Sequence, residues 1–65
     1  MQLIINGEAR ESAPQTMLLL LEGLGIDPRK VAVEYNGEIL PKAEYGATAL
    51  ADGDKIEIVH FVGGG

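Results

Sequence analysis

Sixty-five residues, 46% of them apolar, make one small folded domain, and ten acidic against five basic side chains leave a net charge of −5. A chain of this size buries only about 60% of its unfolded surface, and with no cysteine and one histidine it has neither a disulfide nor a zinc cluster to staple it. The five cations, Arg10, Arg29, Lys30, Lys42 and Lys55, include one adjacent pair, too few in a row for a nucleic-acid backbone, and no apolar run is long enough to span a membrane.

The chain opens on Leu3-Ile4-Ile5, a short apolar run that ends at Asn6-Gly7. Asn-Gly favours a type I′ turn, which needs positive φ at both central residues, so Glu8–Glu11 reads as the return strand of a hairpin. The opening segment also lacks the basic region of a secretory signal. Ser12 and Thr16 are both candidate N-caps for the next element, and Pro14 suits a first helical turn. Residues 17–24 are rich in helix formers, with Met17, Leu20, Leu21 and Leu24 on one face and Leu19 nearly opposite. Gly23 weakens the helix end by roughly 1 kcal/mol relative to alanine. Gly25 suits the C′ position, and Pro28 lies beyond it as a stop.

Val31–Tyr35 alternates, with Val31, Val33 and Tyr35 on one side. Asn36-Gly37 marks a second hairpin, Glu38–Leu40 is its return strand, and Pro41 places that strand at an edge. Residues 42–50 show no period and read as a crossing loop with one helical turn, anchored by Tyr45 and Leu50. Residues 51–54 form a turn, and residues 55–62 form the last and most apolar strand. Ile56 and Ile58 share one face of it; Glu57, Val59 and Phe61 share the other. The chain then reaches Gly63-Gly64-Gly65, three residues without side chains to pack.

Hairpin, helix, hairpin, loop and strand in that order imply an α+β fold. If the first and last strands pair in parallel at the centre, the result is a β-grasp, ubiquitin-like roll: a mixed sheet of about five short strands with one main helix on one face. The expected division is a domain over residues 1–62 and a flexible C-terminal glycine tail over 63–65. Such a tail reaches on the order of 10 Å from the body. Val59 and Phe61 fall on the uncovered face beside that tail, an apolar patch suited to docking.

Little else in the chain suggests catalysis. Ser12, Thr16 and Thr48 have no histidine near them in sequence, and His60 reads as a surface or structural residue. Asp52 and Asp54 flank a glycine and read as a solvated turn rather than a cation site. The remaining reactive group is the α-carboxylate of Gly65. It is ionised at neutral pH and a poor electrophile until condensed with a nucleotide. An acyl adenylate accepts a sulfur nucleophile, and the product is a thiocarboxylate.

The stretch Val31-Ala32-Val33-Glu34-Tyr35-Asn36-Gly37-Glu38-Ile39, together with residues 52–65 through His60-Phe61-Val62-Gly63-Gly64-Gly65, resembles the ThiS family of thiamin-biosynthesis sulfur carriers. The resemblance covers essentially the whole chain, although Tyr35 is bulkier than the aliphatic residue expected there. It implies a cytoplasmic carrier protein rather than an enzyme, with no bound metal or cofactor. Gly65 is then the adenylated and thiocarboxylated residue, Gly63 and Gly64 are the rest of the tail, and Val59, Phe61 and Val62 are the docking surface. The implied partners are a ThiF-like adenylating enzyme that uses ATP and Mg, a ThiG-like thiazole synthase, and a cysteine desulfurase or other persulfide donor. The small subunit of molybdopterin synthase is the second resemblance. A ubiquitin-like protein modifier and a plain binding module follow.

Overall fold

Two Asn-Gly dipeptides frame the sheet. In the computed structural model, which describes residues 1–61, Asn6 and Gly7 have φ of 49° and 82°, and Asn36 and Gly37 have 51° and 89°. These are the paired positive values that a type I′ turn needs. The first turn joins β1 (Gln2–Ile5) to β2 (Glu8–Glu11), and the second joins β3 (Val31–Tyr35) to β4 (Glu38–Leu40). The last strand, β5 (Lys55–His60), enters the middle of the sheet, giving the order β2-β1-β5-β3-β4. It runs parallel to β1, with Ile4 opposite Lys55, and antiparallel to β3, with Val31 opposite His60. This is the β-grasp roll expected from the element order. The strand stops at His60, so Phe61 lies beyond it, and Val62, the predicted end, lies outside the described residues.

The two turn asparagines do more than reverse the chain. Ile58 N donates to Asn6 Oδ1 (2.7 Å), and Lys55 N donates to Asn36 Oδ1 (2.8 Å). Both side chains thereby satisfy backbone donors of β5 that the neighbouring strands do not take up. The alternation read from the sequence left these contacts invisible, because they join residues 52 and 19 positions apart.

The one α-helix among the described residues, α1 (Met17–Gly23), covers one sheet face. Of the two candidate caps the structure uses Thr16: Leu19 N donates to its Oγ1 at 3.3 Å. Ser12 instead accepts from Gln15 Nε2, and Pro14 lies before the helix. Met17, Leu20 and Leu21 are buried as the helical spacing requires. Leu24 departs from that reading. It follows the helix as its C-cap and reaches the surface, because the helix ends at Gly23. Leu19 is exposed. The core beneath the helix is Leu3, Ile5, Val31, Val33, Ile56 and Ile58, closed at one end by Tyr45 and Leu50.

Two single turns of 3-10 helix complete the chain. Lys42–Glu44 is the helical turn expected in the crossing loop. Pro28, expected as a stop, opens the second of them, Pro28–Lys30, which Asp27 caps by accepting from Arg29 N at 2.9 Å. The turn before β5 also differs from expectation. Asp54 is buried, not solvated, and its carboxylate accepts from Tyr35 Oη (2.5 Å), Asn36 Nδ2 (3.1 Å) and Ala51 N (2.8 Å). A buried carboxylate needs such donors. Asp52 remains exposed and accepts from Gln2 N.

Candidate functional site

Among the described residues no element covers the face of the sheet away from α1, and strand parity decides what that face shows. Val59 stands opposite Ala32 and is 55% exposed. Ile39 pairs with Glu34 and is 69% exposed, and Ile4, paired with Ala9, is also exposed. Val59 and Phe61 are therefore both at the surface as the alternation predicts, and the apolar patch extends to Ile39 and Ile4. The sequence reading missed those two. The signal for them was present: each alternates with neighbours of the opposite face.

Charge breaks up this patch. Glu34 and Glu57 stand directly opposite each other in the β3·β5 ladder, a like-charge pairing that weakens a sheet. With Gly37, Lys55 and Val59 they line a shallow depression in the open face. A second depression lies between α1 and the first hairpin, bordered by Ile5, Leu20, Leu24, Arg10 and Ser12. Neither brings a nucleophile together with a base. Among the described residues no three histidine or acidic side chains gather as a metal would require. No helix there is long and apolar enough to cross a membrane.

The end of the described chain is held by two loops. Phe61 N donates to Lys30 O at 3.0 Å, extending the β3 side of the ladder by one bond beyond His60. Lys42 Nζ donates to Arg29 O at 2.9 Å and lies 4.8 Å from the centroid of the Phe61 ring. Phe61 nonetheless stays 58% exposed. Lys42 was read only as part of the crossing loop. Its contact spans 19 positions and leaves no local signature. Beside it, Asp27 accepts from Arg29 Nε (3.1 Å) and Nη2 (2.9 Å). Those bonds hold the Asp27 carboxyl down at about 2. Val62, Gly63, Gly64 and Gly65 lie outside the described residues.

At the opposite end of β5 the Asp54 network sets two titrations. The hydrogen bond to Asp54, then burial, pushes the Tyr35 hydroxyl up to about 12. For Asp54 itself burial pulls upward, but the hydrogen bonds from Tyr35, Ala51 and Asn36 outweigh it and hold the carboxyl below its usual range. This constellation is structural: it ties the turn before β5 to the β3–β4 hairpin and lies away from Phe61.

Comparison with known proteins follows this geometry closely. The ThiS family pattern matches residues 3–65. The crystal structure of the thiamine biosynthesis protein ThiS from Geobacter metallireducens superposes with a TM-score of 0.85 at 35% identity, covering 100% of both chains. The sulfur carrier protein ThiS of Bacillus subtilis is 50% identical over 46 residues, covering 71% of this chain and 70% of that protein. A thiazole synthase of Paramagnetospirillum magneticum is 59% identical over 66 residues, which is 100% of this chain but 20% of that protein. The chain thus spans about a fifth of the length of the thiazole synthase it matches. The family pattern and the superposition agree: the chain belongs to the ThiS family.

Proposed function

We propose that the protein carries sulfur for thiazole ring formation in thiamin biosynthesis, with the Gly65 carboxylate as the group that bears it. The family match through residue 65 is the observation that carries this reading. The chemistry follows from the carboxylate. Its oxygen attacks the α-phosphorus of ATP, held with Mg by a ThiF-like adenylating enzyme, and pyrophosphate leaves. The acyl adenylate is then an electrophile with AMP as leaving group. A persulfide from a cysteine desulfurase or other donor attacks the carbonyl carbon, AMP departs, and reductive cleavage of the S–S bond by a thiol leaves the thiocarboxylate. That soft nucleophile passes sulfur to a ThiG-like thiazole synthase. The alignment of the whole chain with part of a thiazole synthase supports this acceptor. All these steps belong to the cytoplasm. Val59 and Phe61 dock on the partners, together with Val62.

Three glycines suit this role because a chain without Cβ atoms enters a channel too narrow for other residues. The test is intact mass. It first establishes that the purified chain ends at Gly65. The chain is then incubated with the adenylating enzyme, ATP, Mg and a persulfide donor. The expected product has one oxygen replaced by sulfur. An unchanged mass while the enzyme converts its own carrier refutes the proposal, as does conjugation to lysines of other proteins. Removal of Gly64 and Gly65 is expected to abolish conversion and leave the far-UV circular dichroism unchanged.

A further inference from the structure

The chain is acidic overall, yet its basic residues are not spread evenly over the fold. Arg29 and Lys30 come from the turn before β3, and Lys42 from the turn after β4. The antiparallel register sets Val31 against His60, so both turns lie at the end of the sheet where β5 leaves. Two of the five cationic residues touch Phe61, Lys30 through its backbone carbonyl and Lys42 through its ammonium. Asp27 offsets Arg29, and Glu44 shares the 3-10 turn of Lys42. Lys30 and Lys42 are exposed, and among the described residues neither forms a salt bridge. Glu11, Glu38 and Asp52 lie at the other end of the sheet, where β1 begins and β3 turns into β4.

We propose that Lys30 and Lys42 form a cationic rim around the root of the C-terminal segment, and that this rim fits an acidic protein surface at the mouth of the channel that receives the segment. The proposal rests on the sulfur-carrier reading and adds the chemistry of the partner's surface. Two observations favour carboxylates on a protein over phosphates of a nucleotide. First, Gly65 is the fourth residue beyond Phe61. Fully extended, that stretch spans about 13–14 Å, so the cations meet the rim of a channel while the carboxylate meets its floor. Second, the Lys42 ammonium is fixed sideways, by the Arg29 carbonyl and over the Phe61 ring, facing whatever surrounds the ring. A net charge of −5 otherwise repels an acidic partner. The rim gives the encounter its orientation.

The test compares the parent with Lys30→Gln, Lys42→Met, the double variant, and the charge-keeping Lys30→Arg and Lys42→Arg. Lys30→Gln is the cleanest, since the hydrogen bonds of Lys30 in the fold, from its N to Asp27 O and from Phe61 N to its carbonyl, are made by its backbone. The activation step is followed with a ThiF-like enzyme at about 0.02 M and about 0.5 M salt, which brackets strong and weak screening. The expected result is a KM for the carrier raised about tenfold in the double variant at low salt, with kcat and the KM for ATP unchanged. The gap closes at high salt, and the arginine variants match the parent. A carrier KM within about twofold of the parent at low salt overturns the rim. So does a defect equal at both salts, which marks lost packing, or a raised KM for ATP, which marks nucleotide binding. Equilibrium binding to the same enzyme by calorimetry keeps the two ideas apart. Charge-dependent binding without conversion of the parent overturns the carrier reading alone, whereas salt-independent or absent binding overturns the rim.

Discussion

Replacing Asp54 by alanine removes three hydrogen bonds from one buried carboxylate and strands their donors. Asn36 Nδ2 is near solvent and recovers a water. Tyr35 Oη and Ala51 N are less able to do so. Each hydrogen bond to a charged group contributes about 1.5–3 kcal/mol. Burial of the carboxylate takes back part of this, so the net loss expected is about 2–4 kcal/mol. A domain of this length has only about 3–10 kcal/mol in total. With an unfolding entropy near 2 cal/mol/K per residue, each kcal/mol shifts the melting point by about 7 °C. Asp54→Ala is therefore expected to melt about 15–30 °C below the parent, read by far-UV circular dichroism at neutral pH. Tyr35→Phe, which deletes one donor and leaves the carboxylate in place, is expected to cost about 1.5–3 kcal/mol. If Asp54→Ala melts within about 3 °C of the parent, the network adds no net stability and the reasoning fails.

The same network predicts a pH dependence. Asp54 is held below its unfolded value of about 3.9, so its contribution is complete above that pH and disappears as pH falls through the folded value. Urea midpoints of the parent should drop below about pH 4, and Asp54→Asn should flatten that limb; an equal slope in both refutes it. At the alkaline end, the Tyr35 hydroxyl titrates near 12 and returns toward the ordinary range in Asp54→Asn, while buried Tyr45 stays raised; ultraviolet titration of tyrosinate reads this. Glu57→Thr relieves the pairing with Glu34 and should stabilise the sheet by about 0.2–1 kcal/mol, with a lower urea midpoint as the contrary result. Phe61→Asp should lower affinity for the adenylating enzyme at least about tenfold while changing stability by less than about 1 kcal/mol, the scale of the lost ring–ammonium contact; affinity equal to the parent's excludes Phe61 from the docking surface.

Most of the fold was legible because its signals are local. Asn6-Gly7 and Asn36-Gly37 require a conformation few other pairs adopt, and Val31 and Val33 alternate at the period of a strand. Tyr45 and Leu50 stood out as the large apolar residues of an otherwise polar loop and are indeed buried. What escaped was long-range. Asp54 looks like any turn aspartate until the β3–β4 hairpin brings Tyr35 and Asn36 to it, and Lys42 meets Phe61 only because two loops converge on the exit of β5. The choice between Ser12 and Thr16 was equally hidden. Both are good caps, and the isolated bridge between Thr16 and Ala49 places Thr16 at the helix start. Of the candidate site, the sequence showed Val59 and Phe61; Ile39 and Ile4 became visible once register placed them on the same face.

The central place of β5 has a mechanical consequence. A partner that draws on the chain beyond Phe61 pulls along the axis of this strand. The bonds between β3 and β5 run across that axis over five residue pairs, and the bond from Phe61 N to Lys30 O adds one more in the same direction. They must therefore yield together in shear rather than open one at a time, and on the other side β1 and the Asn6 side chain share the load. Tension applied beyond Phe61 is spread across the middle of the sheet, while β2 and β4 at its edges carry little of it.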